Sequence, residues 1–565
     1  MNPTTSTTAS TRHGDLLERA LVAIRERTYW SAYPESLKAY GEGAGALGTR
    51  SPTEGRAAFD AYLGVGFPLA QQGDDADPAV PGERSPYGLD LAVTYAHQDV
   101  DALLAAATAA MPAWRSAGPA TRADTCLEIL TRINARSHEI AHAVMHTSGQ
   151  AYAMAFQAGG PHAQDRALEA IAYAYAEMTR HAAVATWEKP QGKRPPQVMD
   201  KTFTVVPRGV ALVIGCATFP TWNSYPGLFA SLVTGNAVVV KPHPNAVLPL
   251  AITVAIAREV LAEDGFSPDL VQLAPESPGE GLAKVLALRP EVRIVDYTGS
   301  TEFGTWLEQN AHQATVFTEK AGVNTVVLDS TDDYAGMLAN LAFSLSLYSG
   351  QMCTTPQNLL VPEGGIATDT GRRSVDDLAT DLAAAVDSLL GDDARATALL
   401  GAIVNDGVRE RLESAPMYGR VVLASRTVAH PDFPDAVVRT PTVVRVDAAD
   451  SSAYLQECFG PVSFLVVTAS TEESVALLRA TVTEQGAITA AVYSTDGDVL
   501  ERTREAALDA GVALSENLTQ GVYVNQSAAF SDFHATGANP AANASLTDPA
   551  YVASRFRIVQ SRRHV

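Results

Sequence analysis

Three long alanine-rich stretches stand in the first third of the chain, at 100–114, 120–148 and 163–183. Their apolar residues recur every three to four positions, a spacing that places them on one face of an α-helix. The pattern therefore predicts three helices in this region.

After residue 208 the pattern changes to short, almost continuous apolar runs, at 210–214, 237–241, 270–273 and 292–296. Such runs are typical of strands that are buried on both faces of a parallel sheet. Windows with helical periodicity separate them, at 226–234, 249–263 and 281–288. This alternation predicts an α/β domain with helices on both sides of a parallel sheet.

A second series of the same kind begins at 325–328. It continues with strands at 462–467 and 488–493 and with helices at 375–390, 474–482 and 499–510. The chain is therefore expected to contain two α/β domains. At the end of the chain, apolar and polar residues alternate over 555–562, which predicts an edge strand able to pair with another strand.

Three segments fall outside these patterns. Residues 15–69 hold short amphipathic pieces, and 71–85 is rich in Asp, Pro and Gly, which predicts a loop or linker. The segment 188–197 has too many prolines for a helix and is expected to be an exposed connection.

Composition narrows the class of protein. The 565 residues carry a formal net charge of −22, which repels phosphate backbones and anionic membranes, so we expect no nucleic-acid or membrane partner. The four cysteines, Cys126, Cys216, Cys353 and Cys458, lack metal-ligand spacing, so neither a metal site nor a disulfide framework is expected. With no signal peptide or long apolar run, the sequence favours a cytoplasmic protein.

Cys353 is the first candidate for chemistry. A lone cysteine is more often a small buried hydrophobe than a nucleophile. Gly350 and Gln351 precede it and Thr354, Thr355 and Pro356 follow it, which is typical of a loop or helix start where backbone N–H groups can lower a thiol pKa. The spacing alone leaves both interpretations open.

Other candidates stand where predicted strands end, at the sheet edge where ligands bind in open α/β folds. They are Glu319, Asn223 and Lys241, and each has a simpler interpretation as a strand-end or turn residue in water. Gly299 and Ser300 lie in a turn that opens a helix, a place suited to phosphate. Glu457 and Phe459 precede a Gly-Pro turn and indicate little by themselves.

Taken together, these motifs resemble the aldehyde dehydrogenase superfamily from about residue 82 to the C-terminus. The residues that carry the resemblance are Phe219-Pro-Thr-Trp-Asn223, Val240-Lys-Pro242, Thr298-Gly-Ser-Thr-Glu-Phe-Gly304, Glu319-Lys-Ala-Gly322, Gly350-Gln-Met-Cys353 and Glu457-Cys-Phe-Gly-Pro-Val462. The implied fold has two parallel-sheet α/β domains and a β arm for oligomerisation.

The resemblance implies that the Cys353 thiolate attacks an aldehyde, with the oxyanion held by the Asn223 amide and the Cys353 backbone N–H. A thioester on Cys353 would follow, and Glu319 would activate the water that hydrolyses it and could also take the thiol proton. Acylating relatives, which pass the thioester to coenzyme A, commonly lack that glutamate, so a free acid product is expected. The other three cysteines are then expected to be packing residues.

For the nicotinamide cofactor, the resemblance implies binding by Lys241, Gly299, Ser300, Glu457 and Phe459. Members that prefer NAD often carry a glutamate three residues after the lysine, and here that position is Pro244. A missing carboxylate removes repulsion against a 2′-phosphate, so the sequence favours NADP or dual use over strict NAD.

Two departures from the family pattern suggest a subgroup. Glu319-Lys-Ala-Gly-Val323 replaces the usual Glu-Leu-Gly-Gly-Lys, and 530–544 replaces a Pro-Phe-Gly-Gly segment. These features and the N-terminal extension resemble the ring-opening aldehyde dehydrogenases of phenylacetate degradation, whose substrate is a semialdehyde carried on coenzyme A. Within 530–544, His534 is interpreted as a loop histidine more readily than as a substrate contact.

Alternatives are a general dehydrogenase for free aldehydes, a catalytically silent relative of the same fold and a cysteine-dependent hydrolase. A catalytically silent relative need not retain Cys353, Glu319 and Asn223, and all three are present. The residues expected to bind the cofactor, at 241, 299 and 457, argue against a hydrolase. The expected division is an extension at 1–81, a dinucleotide domain at 82–187 and 208–318, a catalytic domain at 319–528, and an arm at 188–207 and 545–565. The arm implies a homodimer or a dimer of dimers.

Overall fold

A computed structural model describes residues 11–41, 50–71, 74–80, 83–320 and 322–565. Within these residues, no helix is both long enough and apolar enough to cross a lipid bilayer. The α-helices are α1 Gly14–Glu26, α2 Pro52–Asp60, α3 Val100–Ser116, α4 Gly118–Ala135, α5 Ser137–Ser148, α6 Tyr152–Gln157, α7 Ala163–Met178, α8 Pro220–Val233, α9 Leu248–Glu263, α10 Leu282–Ala287, α11 Thr301–Asn310, α12 Tyr334–Ser346, α13 Val375–Leu390, α14 Asp393–Leu399, α15 Asp406–Ser414, α16 Ser451–Tyr454, α17 Thr471–Gln485, α18 Gly497–Ala510 and α19 Pro549–Ala553.

The strands alternate with these helices along most of the chain. They are β1 Asp74–Val80, β2 Tyr95–Gln98, β3 Val184–Gln191, β4 Arg194–Pro207, β5 Val210–Ile214, β6 Val238–Lys241, β7 Val271–Leu273, β8 Val292–Thr298, β9 Thr315–Glu319, β10 Thr325–Leu328, β11 Ser330–Thr331, β12 Asn358–Pro362, β13 Ile366–Thr368, β14 Gly371–Arg373, β15 Arg420–Leu423, β16 Thr427–Val428, β17 Val438–Arg439, β18 Thr442–Asp447, β19 Val462–Thr468, β20 Thr489–Tyr493, β21 Ala513–Glu516 and β22 Phe556–His564.

The first α/β unit is a five-stranded parallel sheet in the order β7-β6-β5-β8-β9. Its central strand β5 is buried along its whole length, as the continuous apolar run predicts. Because the strands are parallel, the residues that end β6, β8 and β9 or follow β5 meet at one edge.

The second unit is a seven-stranded sheet in the order β15-β18-β19-β12-β10-β20-β21, parallel except where β15 meets β18. Separate apolar clusters cover its two faces. Its helix α13 has the bounds that the sequence predicts and begins at a capping box between Ser374 and Asp377. The two predicted parallel-sheet units are therefore confirmed.

A three-stranded antiparallel sheet, β22-β4-β3, forms the arm. The segment 188–197, expected as an exposed connection, is exposed but belongs to the hairpin of β3 and β4. Arg555, just before β22, is fully buried and donates from Nη1 to Oδ2 of Asp296 on β8 over 2.7 Å. This ion pair fixes the start of the arm strand to the first sheet.

Two other predictions differ from the structure. The segment 71–85 contains the strand β1, paired with β2, where a linker was expected; residues 72–73 and 81–82 lie outside the described part. The predicted helix at 120–148 is two helices, α4 and α5, separated at Arg136.

The N-terminal segment packs onto the first unit through α1 and α7, and its apolar residues join the same core cluster. After α1, Arg27 donates to the buried Glu169 over 2.9 Å, and the Trp30 ring contacts Phe530 with centroids 4.6 Å apart. The segment therefore contacts both the first unit and the C-terminal region 530–544.

Candidate active site

The loop before Cys353 has an unusual backbone. Tyr348, Ser349 and Gly350 have φ angles of 54°, 51° and 65°, in the left-handed region that non-glycine residues occupy at a cost. The Tyr348 hydroxyl donates to the carbonyl of Ser148, and Ser349 Oγ donates to the carbonyl of Gly401 over 3.1 Å. These bonds hold the chain in a shape that fixes the position of the cysteine.

Asn324 holds the other side of the loop. Its Nδ2 donates to the Cys353 carbonyl over 2.8 Å and to the Thr355 carbonyl over 3.0 Å. Its Oδ1 accepts from the backbone N–H of Ile488 over 3.0 Å. A single buried side chain thus connects the cysteine loop to the start of β20.

The structure brings Cys353, Glu319 and Asn223 together. Glu319 ends β9, and Asn223 lies in the first turn of α8, from which its Nδ2 donates to Glu319 Oε2 over 3.1 Å. His534 joins them: its Nε2 lies 3.1 Å from Glu319 Oε1 and 3.8 Å from Cys353 Sγ. The functional atoms of Glu319, Cys353 and His534 all lie within 4.8 Å of one another.

Burial and charge set the protonation of this cluster. Burial raises the pKa of the Cys353 thiol well above its usual value, and the nearby Glu319 carboxylate raises it further. Burial alone would also raise the pKa of Glu319, but the charge of His534 and hydrogen bonds from His534, Cys353 and Asn223 outweigh it, and the net shift is downward.

His534 lies in a loop, as the sequence indicates, but this loop buries its side chain. Only 3% of its surface is exposed, and its backbone exchanges two hydrogen bonds with Leu546, of 3.2 and 2.9 Å. Its ring contacts Trp222 edge to face with centroids 4.7 Å apart. The one sequence signal that could have drawn attention to it is the departure of 530–544 from the family pattern.

An apolar wall lies beside the cluster. It comprises Cys216, Phe219 and Tyr348, with Met154, Ala158, Trp222, Met352 and Val404 packed against them. Cys216 packs in this wall, and its thiol also lies 3.7 Å from Asn223 Oδ1. This contact orients the amide so that Nδ2 faces Glu319.

Lys241 ends β6 at the carboxyl edge of the first sheet and is 3% exposed, so it is not a strand-end lysine in water. Its ammonium pairs with Oε1 of Glu276, a residue that the sequence did not single out. The other oxygen of Glu276, Oε2, is buried and has no hydrogen-bond partner among the described residues. A carboxylate therefore lies beside Lys241 although Pro244 stands where the family often has one.

Gly299 and Ser300 follow β8 at the same edge. The Gly299 N–H donates to the Glu319 carbonyl over 3.1 Å, and a Cβ at Gly299 would lie 2.5 Å from the Tyr297 hydroxyl oxygen. Ser300 Oγ accepts from the Phe303 N–H and caps α11. The turn thus brings a helix N-terminus to the edge that also carries Lys241.

Glu457 and Phe459 line one cavity together with Cys353. Burial raises the pKa of Glu457 to about 7, against the opposing influence of Arg411. Asn223 and Glu319 line a second cavity, between the ends of β5, β8 and β9. Lys241, Gly299 and Ser300 line neither of these two cavities, but stand along the sheet edge beside them.

These residues fit a dinucleotide. The orphaned Glu276 Oε2 is an acceptor that suits a ribose hydroxyl, and the α11 N-terminus suits a phosphate. Glu457 lines the same cavity as Cys353.

The sequence profile of the aldehyde dehydrogenase family matches residues 91–539. The chain belongs to this family. It is an oxidoreductase that acts on aldehydes, and the fold expected from the sequence resemblance is confirmed. The matched residues begin after helices α1 and α2, the first of which packs on α7.

Among relatives in this family, vanillin dehydrogenase of Pseudomonas fluorescens is 28% identical to this chain over 411 residues, which cover 71% of this chain and 78% of the relative. The crystal structure of an NAD-dependent aldehyde dehydrogenase from Burkholderia multivorans is 57% identical, covers 98% of both chains and superposes with a TM-score of 0.95. A Thermus 1-pyrroline-5-carboxylate dehydrogenase with bound NAD shares the fold, at 19% identity, coverage of 100% and 99%, and a TM-score of 0.68.

Proposed function

We propose that the protein oxidises an aldehyde to a carboxylic acid through a covalent intermediate on Cys353. The observation that carries the proposal is one cluster of side chains. Asn223 donates to Glu319, and His534 lies within hydrogen-bonding distance of both Glu319 and Cys353. Glu457 and Phe459 line the cavity of the nucleophile.

In the first step the Cys353 sulfur adds to the aldehyde carbon, the thiol proton passes to a neighbouring base of the cluster, and the carbonyl electron pair moves onto oxygen. The Asn223 amide and the Cys353 backbone N–H stabilise this oxyanion, an interaction that contributes about 3 kcal/mol where donors are preorganised. A bound nicotinamide cofactor would supply the hydride acceptor for the same carbon, and Cys353 would then carry the acyl group as a thioester.

Glu319 then removes a proton from the water that attacks the thioester. Its pKa is below the usual range, so the carboxylate is ionised and ready to accept that proton at neutral pH. The products are the free acid and the regenerated Cys353 thiol.

For the cofactor we propose NAD in preference to NADP, with Lys241, Gly299, Ser300, Glu457 and Phe459 as binding residues. The sequence favoured NADP because no carboxylate follows Lys241 closely in the chain. Glu276 supplies a carboxylate at that place from the segment after β7, and a negative charge there repels a 2′-phosphate. The NAD dependence of the Burkholderia multivorans relative agrees with this proposal.

For the substrate we propose a semialdehyde linked to coenzyme A, as in aromatic-acid catabolism, because of the sequence features at 319–323 and 530–544. The second candidate is a free aldehyde with an apolar body. The apolar wall of Cys216, Phe219 and Tyr348 favours that second candidate.

We also propose a homodimer or dimer of dimers, built through the arm at 188–207 and 545–565, and a cytoplasmic location suited to four unpaired cysteines. The extension at 1–81, the dinucleotide domain at 82–187 and 208–318, and the catalytic domain at 319–528 complete the proposed division.

A substrate and cofactor screen tests the function. Purified protein is given free aliphatic and aromatic aldehydes or CoA-linked semialdehydes, each with NAD and NADP, and cofactor reduction is followed by absorbance. Cys353→Ala should abolish the reaction, while Cys126→Ala, a buried cysteine of α4, should preserve it. Substantial reduction by Cys353→Ala would contradict the mechanism.

A further inference from the structure

His534 occupies a place between the two reacting groups of the site. One ring nitrogen, Nε2, lies 3.8 Å from Cys353 Sγ, within hydrogen-bonding reach for sulfur, and 3.1 Å from Glu319 Oε1. The side chains of His534 and Glu319 are each 3% exposed. A proton on this nitrogen can therefore face either the thiol or the carboxylate with little access of water.

The ring is held in this position from several sides. The backbone bridge to Leu546 fixes the main chain, and the Trp222 ring meets the imidazole edge to face. The Arg166 guanidinium lies over Trp222, 5.4 Å from the ring centroid. A group fixed so firmly at the nucleophile suits proton transfer, which requires a short and constant distance.

The protonation of the cluster explains why a third group is needed. Burial and the Glu319 charge keep Cys353 as a neutral thiol, because they raise its pKa. Glu319 is held as a carboxylate, because the charge that His534 carries once it is protonated, together with the surrounding hydrogen bonds, outweighs burial and lowers the Glu319 pKa. An imidazole within reach of the sulfur suits proton exchange with a thiol, and its use in the first step leaves Glu319 free for the water step.

We propose that His534 is a catalytic base that accepts the Cys353 proton on Nε2 during attack on the aldehyde, and that Glu319 stabilises the imidazolium that forms. The S–H bond breaks as the S–C bond forms, the proton goes to Nε2, and the carbonyl electron pair goes to oxygen. A neutral thiol and a neutral imidazole thus give an alkoxide and an imidazolium. When hydrolysis later breaks the thioester, the departing thiolate recovers the proton from Nε2.

The inference extends the proposed function, but its first test needs neither aldehyde nor cofactor. The rate at which iodoacetamide alkylates Cys353 in the intact protein is measured from pH 5 to pH 10, with the labelled peptide identified by mass spectrometry. Charged or titratable groups that surround the pair are Glu319 on β9, Cys216 after β5, Glu457 before β19 and Arg166 on α7 behind Trp222.

We expect the wild-type protein to keep a reactive plateau below the pH range in which a free cysteine ionises, because Nε2 accepts the thiol proton as the bond from sulfur to the reagent forms. In His534→Gln, which keeps a donor for Glu319 but cannot carry the proton, the inflection should move to higher pH. Alkylation at pH 7 should then fall about 10-fold or more. The control is His312→Gln, an exposed histidine before β9, which should leave the profile unchanged.

Chemical rescue provides the second measurement. His534→Ala should lose about 100-fold or more in kcat for aldehyde oxidation, and added imidazole should restore part of it in proportion to the free base. A His534→Gln profile that coincides with wild type, or a failure of imidazole to rescue His534→Ala, would overturn the inference. Where neither variant folds, a wild-type profile without the plateau overturns it and one with the plateau supports it.

The outcomes separate the two proposals. A shifted alkylation profile in a protein that oxidises no aldehyde would support the Cys353–His534 proton transfer and overturn the proposed function. Aldehyde oxidation with an unshifted profile would do the reverse.

Discussion

Asn223 donates a hydrogen bond from Nδ2 to Oε2 of Glu319 over 3.1 Å, so the amide expected to stabilise an oxyanion also holds the carboxylate expected to activate water. The two proposed steps use these groups in turn. Because Nδ2 carries two N–H donors, one can hold Glu319 while the other faces the oxyanion.

Replacing Asn223 with alanine removes the oxyanion donor and one stabilising contact of Glu319. We expect kcat to fall about 100- to 1000-fold, the usual effect of losing one such donor. Steady-state kinetics measures the loss, with Asn310→Ala, at the exposed end of α11, as the control. An unchanged kcat would remove Asn223 from the proposed oxyanion site.

Replacing Glu319 with glutamine preserves the hydrogen bond from Asn223 and the shape of the site but removes the base. A rapid burst of NADH in stopped flow should survive, followed by steady-state turnover at least about 100-fold slower, because the thioester accumulates. Mass spectrometry of the quenched protein should detect the acyl group on Cys353. A normal steady-state rate would exclude Glu319 from hydrolysis.

Glu276 should determine the discrimination between NAD and NADP. Glu276→Gln removes the negative charge beside Lys241, so the ratio of kcat/KM for NADP to that for NAD should rise about 10-fold. Glu280→Gln, on a more exposed carboxylate paired with His97, is the matched control. Thermal melting of both variants checks that Lys241, which loses its buried partner, still allows folding. A wild-type preference for NADP would contradict the proposed role of Glu276.

Glu457 predicts a pH dependence of cofactor binding. Its pKa is raised to about 7 by burial, so the carboxylate is protonated below that pH and ionised above it. An ionised carboxylate makes stronger hydrogen bonds to ribose hydroxyls, so KM for NAD should fall as the pH rises through about 7. Glu457→Gln should have a higher KM and a flat profile over this range, and a profile that matches wild type would reject the assignment.

The arm predicts the oligomeric state. Light scattering should give at least twice the chain mass of 59.6 kDa. Ile558 is 41% exposed on the edge strand β22, and Ile558→Glu should weaken pairing across subunits and shift the mass toward the monomer. Leu508→Glu, at an exposed apolar position of α18, should have no such effect. A monomeric wild-type protein would contradict the proposed dimer.

The pattern of apolar residues predicts those elements whose burial is uniform. Strand β5 and helix α13 appear with the predicted bounds because each carries a complete buried face within its own sequence. The pattern predicts neither β12 nor β18. In β18, Arg445 interrupts the apolar run. Its guanidinium donates over 2.7 Å to Asp376 of α13, which is distant in sequence and balances the arginine charge.

The site divides in the same way. Cys353, Glu319 and Asn223 can be found from local motifs, because each has a characteristic neighbourhood in the chain. His534 and Glu276 cannot be assigned in this way, since their partners come from other elements. The departure of 530–544 from the family pattern draws attention to His534 but does not show what it contacts. Only the folded chain places an imidazole at the thiol and a carboxylate at Lys241.

The contact between Trp30 and Phe530 has a consequence for evolution and engineering. Phe530 lies four residues before His534, so the N-terminal segment supports the stretch of chain that delivers the imidazole. A histidine grafted into a shorter family member would lack that support. Across the family, we therefore expect a histidine at this position to be inherited together with the N-terminal segment, and to be absent where the segment has been lost.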